Sequence, residues 1–215
     1  IKTSSNATLL LEKSVPNSLR VGFLNAVFPE AKFIHIIRDG RAVTESSIRQ
    51  WRARPDLPYL MRKLRYFPWT SLAYAFQYVR HHLAARFSGV TPTWGPRYIG
   101  IEADVRSLPL ETVCARQWSK CVESARSQLQ LVSPDRVFEI RFEDLVANAT
   151  VIRQLCEFLQ LKDAESVMSA YSQSVEVQGL EKWNTSLSER QRHLILTEIG
   201  GLLQDLGYMS SEQGQ

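Results

Sequence analysis

Short apolar runs alternate with helical segments along this chain. The runs ATLLLEK (7–13), KFIHII (32–37) and RVFEIRF (136–142) have the length of strands, and the first two are continuous, as buried parallel strands tend to be. Helical patterns are SLRVGFLNAVF up to Pro29, about Arg41 to Trp51, about Leu110 to Gln130, VIRQLCEFLQL (151–161), and about Ser188 to Leu206 before Gly207. The order strand, helix, strand, helix predicts an α/β fold with a parallel sheet flanked by helices.

The pattern changes over residues 52–110. Prolines punctuate this segment, aromatic residues are dense in it, and one helix is predicted from about Ser71 to Phe87. We expect a helical, lid-like insertion on the substrate side of one domain that spans residues 1–215.

Composition excludes several classes of protein. Hydrophobic residues make up 44% and charged residues 22% of 215, which is typical of a soluble globular domain. No apolar stretch approaches the ~20 residues of a membrane helix. Three cysteines without a CxxC spacing and four scattered histidines predict neither a disulfide scaffold nor a metal site.

Charge is concentrated in residues 38–65. This segment has eight Lys or Arg against three Asp or Glu, a net +5, whereas the whole chain has +4 and the remainder therefore −1. Such an excess indicates an anionic ligand such as a phosphate, a sulfate or a nucleic acid. A solvated basic surface would give the same pattern.

Candidate chemistry lies at the carboxyl ends of the predicted strands, where α/β sheets bind their ligands. Lys13 ends the first run, Arg38 ends the second, and Ser46 follows on the helix that the Arg38-Asp39-Gly40 turn opens. An arginine fork and a hydroxyl near a helix N-terminus can hold a phosphate. The alternative is that Arg38 merely pairs with Asp39 or Glu45.

Several motifs resemble those of one enzyme family. The segment LEKSVPNSLRVGFLNAVFPEAKFIHIIRDGRAVTESSI is similar to the central block of sulfotransferases that use 3′-phosphoadenosine-5′-phosphosulfate (PAPS), nearest to the bacterial and tyrosylprotein-type branch. RFEDL (141–145), GLEKWN (179–184) and the closing Leu206-Gly207-Tyr208 extend the resemblance in the right order. It implies a P-loop-kinase-like sulfotransferase fold.

The resemblance also implies roles for individual residues. Arg38 and Ser46 would hold the 3′-phosphate of the nucleotide, and Lys13 would meet the transferring sulfuryl group. Lys182 would contact a nucleotide phosphate. We therefore expect PAPS as donor, its product PAP, no metal, and a hydroxyl or amine on a small-molecule, carbohydrate or peptide acceptor. Glu143 and Asp144 are expected to cap the segment after their strand by accepting backbone hydrogen bonds.

One family feature is absent from the sequence. The Pro-(Lys/Arg)-Ser-Gly-Thr loop that wraps the 5′-phosphosulfate belongs before residue 1, and the catalytic base would be lost with it, so we expect an N-terminally truncated enzyme. A relative that binds nucleotides or polyanions without catalysis is the alternative, and a nucleic-acid binder is a third, although we expect no nucleic-acid partner. Low cysteine use favours the cytoplasm, and three Asn-X-Ser/Thr sequons leave the Golgi lumen as the alternative.

Overall fold

A small parallel sheet of two strands is part of a mostly helical α/β structure. The computed structural model describes residues 9–53, 93–175 and 180–209. Strand β1 (Phe33–Ile37) pairs with β2 (Val137–Arg141) in parallel, with Ile37 opposite Arg141. The predictions of both strands, of their parallel pairing and of the α/β class are confirmed.

Helices account for most of the remaining described residues. A 3₁₀ helix (Val15–Leu19) precedes α1, and a second one (Pro134–Arg136) precedes β2. The α-helices are α1 (Val21–Val27), α2 (Gly40–Arg52), α3 (Ile101–Ser107), α4 (Leu110–Leu129), α5 (Phe142–Ala147), α6 (Ala149–Leu159), α7 (Ala164–Ser174), α8 (Trp183–Ser186) and α9 (Glu189–Asp205). The predicted helices that became α2, α4, α6 and α9 are confirmed to within two residues at each end.

Helix α4 is the core element. Its buried positions include Val113, Cys114, Trp118 and Val122, which pack against α2 and α9. A smaller apolar cluster on the same helix receives α1 and one face of the sheet. Helix α4 therefore supports the helix that begins at the end of β1.

The predicted strand at residues 7–13 is wrong over the part that the structure describes. Residues 9–14 have no regular structure, and the side chains of Leu9, Leu10 and Leu11 are 59%, 70% and 76% exposed. A strand is stable only when its backbone is paired with a neighbour, and within the described ranges β1 pairs with β2 alone. An apolar run shows that a segment is hydrophobic, but it does not show whether a neighbouring strand is present for it to pair with.

Only part of the predicted insertion can be compared with the structure. The helix predicted from Ser71 to Phe87 lies outside the described residues. Residues 93–100 are irregular and lead into the unpredicted helix α3, which begins after Gly100 in the left-handed region (φ 97°). Among the described helices, none combines the length and the apolarity that crossing a membrane requires.

Candidate functional site

The site begins where β1 becomes α2. Asp39 is the N-cap of α2, and its carboxylate accepts a hydrogen bond from the backbone N–H of Arg41 at 2.8 Å. The next residue, Gly40, lies in close contact with two neighbouring helices. A Cβ at this position would lie 2.7 Å from both Trp118 and Ile199, so only glycine lets α2 begin this close to α4 and α9.

Arg38 leaves β1 immediately before this helix. Its side chain is half-buried, with the guanidinium carbon 4.8 Å from the centre of the Phe142 ring. The Nε of Arg38 is buried and has no hydrogen-bond partner among the described residues. A buried guanidinium nitrogen without an acceptor is costly in free energy unless a ligand supplies one.

The alternative partners that the sequence offered for Arg38 are engaged elsewhere. Asp39 pairs with Arg41 at 2.7 Å, and Glu45 pairs with Arg49 at 3.3 Å. The interpretation that Arg38 merely pairs with Asp39 or Glu45 is therefore wrong. Arg38 is left as a cation stacked on an aromatic ring.

Most arginines in the described part of the basic segment, residues 38–53, are paired with carboxylates. Besides Arg41 and Arg49, Arg52 pairs with Glu111 at 3.1 Å. Of the four arginines in residues 38–53, only Arg38 has no carboxylate partner within the described ranges. The excess positive charge here is thus concentrated at one side chain rather than spread along α2.

Two side chains from distant parts of the chain hold the backbone around Arg38. The indole Nε1 of Trp118 donates to the carbonyl oxygen of Arg38 at 3.1 Å. The backbone N–H of Asp39 donates to Glu143 Oε1 at 3.1 Å. Glu143 does accept a backbone hydrogen bond, as expected, but from the end of β1 rather than from the segment that follows it.

Tyr208 completes this set of contacts. Its hydroxyl donates to Glu143 Oε2 at 2.8 Å and lies 3.1 Å from the carbonyl oxygen of Ile37. Burial and the bond to the carboxylate raise the pKa of Tyr208 above its ordinary value. The hydroxyl therefore stays protonated and remains a donor at every pH at which a protein works.

Arg41 is fixed on three sides. It makes a bidentate pair with Asp39, donates from Nη2 to the backbone oxygen of Tyr208 at 3.0 Å, and lies 4.1 Å from the centre of the Trp183 ring. These contacts bind the end of the described chain to the first turn of α2.

The other predicted site residues are placed less firmly. Ser46 is half-buried on α2, on the helix face that also carries Asp39 and Val43. Lys13 and Lys182 are both exposed, and neither side chain forms an ion pair or hydrogen bond with a described residue. Lys182 adjoins Trp183, and hence lies next to the residue that stacks on Arg41.

A cavity of about 580 Å³ lies beside this site rather than in it. It follows β2 and the end of α9, and its lining includes Phe138, Arg141, Asp144 and Tyr208. Arg38, Ser46, Lys13 and Lys182 do not line it. Arg38 directly follows β1 and Ser46 lies on α2, whereas this cavity lies along β2.

Three residues that contribute to the site were not predicted from the sequence. Phe142 lies under the guanidinium of Arg38, and Trp118 and Tyr208 bond to the neighbouring backbone. Trp118 is also a core residue, buried as are Cys114 and Cys121 on the same helix. The sequence did contain one indication for Tyr208. A residue directly after a helix-ending glycine commonly packs against the helix that precedes it.

Comparisons with known proteins agree with the motifs. A family model described as "Sulfotransferase family" matches residues 1–93 and 73–165. Omega-hydroxy-beta-dihydromenaquinone-9 sulfotransferase Stf3 from Mycobacterium bovis, and the protein of the same name from Mycobacterium tuberculosis, are each 26% identical to this chain over 198 residues. The alignment covers 91% of this chain but 40% of each relative, so the chain spans less than half of their length. No solved structure gives a significant match.

Proposed function

Because the chain belongs to the sulfotransferase family, we propose that it transfers a sulfuryl group from PAPS to an acceptor, with Arg38 and Ser46 binding the 3′-phosphate. Lys13 would act on the transferring group and Lys182 on a nucleotide phosphate. The proposal includes the P-loop-kinase-like form of the α/β fold and one domain over residues 1–215, with residues 52–110 as its substrate-side insertion. Low cysteine use supports the cytoplasm as the compartment.

One observation carries the proposal. Arg38 has a buried Nε without an acceptor among the described residues, while three neighbouring arginines have carboxylates. A dianionic phosphate would supply the missing acceptor and the missing negative charge in one contact, because an arginine fork can bind two of its oxygens. Phe142 keeps the guanidinium in place without neutralising it.

The residue types suit the chemistry of sulfuryl transfer. The reaction resembles phosphoryl transfer, whose loose, in-line transition state is stabilised mainly by positioning and by charge. A lysine ammonium such as that of Lys13 is a compact donor for negative charge that grows on the leaving oxygen. Arg38 and Ser46 would hold the other end of the nucleotide, and so fix the direction in which that bond breaks.

The acceptor group that we propose is a hydroxyl. The relatives that match this chain are named for an omega-hydroxy menaquinone acceptor. At 26% identity this supports the hydroxyl as the first acceptor class to assay. An amine-bearing acceptor and the carbohydrate and peptide classes come next.

Calorimetric titration with adenosine 3′,5′-bisphosphate tests the assignment, using the longest natural chain that contains these residues. Arg38→Ala should weaken binding by about 2–4 kcal/mol, roughly 30- to 1,000-fold, and Ser46→Ala by about 1 kcal/mol. Adenosine 5′-phosphate, which lacks the 3′-phosphate, should bind Arg38→Ala and the wild type equally.

Arg49→Ala is the matched control, because it removes the same charge from an exposed position on α2, the helix that follows Arg38. It should leave both affinities within about twofold of the wild type. Undiminished affinity of Arg38→Ala for the bisphosphate would refute the proposed phosphate site.

A further inference from the structure

The carboxylate of Glu143 is shared between two neutral donors. One oxygen accepts from the backbone N–H of Asp39 and the other from the hydroxyl of Tyr208. That N–H belongs to the peptide bond that directly follows Arg38. Glu143 therefore fixes the peptide plane from which the Arg38 side chain departs.

Arginines lie close by, yet Glu143 forms no ion pair with any described residue. Arg38 stacks on Phe142, and Arg141 stacks on Tyr208 with its guanidinium carbon 4.3 Å from the ring centre. Each oxygen of Glu143 accepts from a neutral donor, and the carboxylate forms no ion pair with Arg38, so its negative charge orients the turn while the Arg38 guanidinium stays unpaired with it. An arginine neutralised by a carboxylate would have to break that pair before binding a phosphate.

The side chain of Arg38 depends on the same element as its backbone. Phe142, which supports the guanidinium, is the residue immediately before Glu143 at the start of α5. A shift of α5 would therefore displace the backbone anchor and the aromatic support together. Glu143 fastens α5 to the end of β1 directly, through the N–H of Asp39, and also through Tyr208, whose hydroxyl reaches the carbonyl oxygen of Ile37.

Tyr208 contacts the β1–α2 turn through both its hydroxyl and its backbone oxygen. Its hydroxyl reaches Glu143 and the carbonyl oxygen of Ile37, and its own backbone oxygen accepts from Arg41 in the first turn of α2. It thus bonds to residues on both sides of Arg38. It follows Gly207, whose φ of 72° turns the chain back from the end of α9.

We infer that the Tyr208 hydroxyl and the Glu143 carboxylate form a clamp that positions Arg38 for the 3′-phosphate. This inference rests on the proposed function. Neither clamp residue is assigned a contact with the nucleotide. They act through Arg38, by holding its backbone while leaving its guanidinium free of any described carboxylate, and are positioning residues in that sense.

The test compares the affinities for adenosine 3′,5′-bisphosphate and adenosine 5′-phosphate in Tyr208→Phe. This change removes the hydroxyl but keeps the ring under Arg141 and the backbone oxygen that binds Arg41. We expect about tenfold weaker binding of the bisphosphate and unchanged binding of the 5′-phosphate. In an Arg38→Ala background the same change should have no effect on either ligand, since the clamp then has nothing to position.

Tyr98→Phe is the matched control. The Tyr98 hydroxyl also donates to a carboxylate within the fold, to Asp104 Oδ2 at 2.6 Å, but Asp104 lies on α3 rather than on α5. Its loss should lower the melting temperature as the loss of a partly buried hydrogen bond does, and leave both affinities unchanged. Glu143→Gln is a second clamp variant, in which one amide oxygen must replace two carboxylate oxygens, and it should weaken bisphosphate binding selectively.

The outcomes separate this inference from the proposed function. A wild-type protein that binds both nucleotides equally refutes the 3′-phosphate site, and the clamp's role with it. A wild type that prefers the bisphosphate, with the preference intact in Tyr208→Phe and in Glu143→Gln, refutes the clamp alone. An equal loss for both ligands, or a loss that persists in the Arg38→Ala background, also refutes it.

Discussion

The two segments that carry Arg38 and Lys13 differ in how firmly the fold holds them. Arg38 lies between a strand and a helix, with its backbone bonded to Trp118 and flanked by the bonds of its neighbours. Lys13 lies in a stretch without regular structure, after three exposed leucines. The side-chain hydrogen bond nearest to it joins Asn17 to Glu12 at 2.6 Å.

The described residues therefore hold the proposed phosphate-binding residue, Arg38, in place, but they do not hold Lys13 in place. A side chain that the fold holds in place before the substrate arrives loses little further conformational freedom when it binds. The contacts around Arg38 meet that condition, and those around Lys13 do not. Removing Lys13 should therefore affect chemistry more than folding, whereas changes around Arg38 should affect both.

The largest expected effect comes from Lys13→Ala. The ammonium would meet charge that develops only in the transition state, so kcat should fall about a hundredfold or more. Affinity for the product nucleotide should stay within about tenfold of the wild type, and the melting temperature should not change, because the side chain is exposed. Turnover with a hydroxyl acceptor, nucleotide titration and thermal melting measure the three quantities.

Lys120→Ala is the control for that experiment, since Lys120 is an exposed lysine on α4 that pairs with Glu123. It should leave turnover unchanged. Unimpaired turnover in Lys13→Ala would make Lys13 a structural residue, and equal losses of turnover and nucleotide affinity would make it a binding residue.

A smaller effect is expected from Gly40→Ala, which tests how closely the turn next to Arg38 is packed. The added Cβ would press against Trp118 and Ile199 in the core. Overpacking of this kind costs about 1–3 kcal/mol, so the melting temperature should fall by roughly 2–4 °C per kcal/mol. Affinity for adenosine 3′,5′-bisphosphate should fall with it, because Trp118 also bonds to Arg38.

Gly201→Ala provides the comparison for this variant. Gly201 lies in α9, and a Cβ there would meet no atom within 4 Å. In an exposed helix position alanine is favoured over glycine by up to about 1 kcal/mol, so this variant should be as stable as the wild type or more so. If Gly40→Ala were equally harmless, the turn would be less closely packed than described.

The smallest effect is expected from mild acid, through His35 on β1. Burial lowers the pKa of His35, although Glu139, 3.0 Å away, acts in the opposite direction. Below a pH of about 6.5 the unfolded chain then takes up this proton more readily than the folded one, so stability should fall as the pH is lowered from neutral.

Thermal melts between pH 5.5 and 7.5 measure this dependence. His35→Gln should lose less stability than the wild type as the pH is lowered. His193→Gln, which changes an exposed position of α9, should lose as much stability as the wild type. A wild-type slope retained in His35→Gln would show that other groups set the acid response.

Elements whose formation depends on residues close together in the sequence were predicted correctly. The apolar runs at β1 and β2 have few alternatives to buried strands, and the Asp39-Gly40 start of α2 is a local capping signal. The short helix α3 was missed because seven residues offer too few turns for a periodic pattern. The run ending at Lys13 was mistaken for a strand because pairing depends on a partner that the run does not encode.

The surroundings of Arg38 could not be predicted from the sequence. Its position at the end of a strand was predicted from the apolar run that precedes it. The partners that hold it, Trp118, Glu143 and Tyr208, lie 80 to 170 positions further along the chain. No local pattern relates such distant residues, so the contacts that hold Arg38 could not be foreseen.

The late position of Tyr208 has a consequence for biosynthesis. A ribosome makes the β1–α2 turn first, and the hydroxyl that bonds to it is translated about 170 residues later. Contacts between residues so far apart form late in folding, because a long stretch of chain must first be closed into a loop. A nascent or prematurely terminated chain that ends before residue 208 would thus lack this part of the proposed phosphate site, and nucleotide capture would be delayed until that residue has been made.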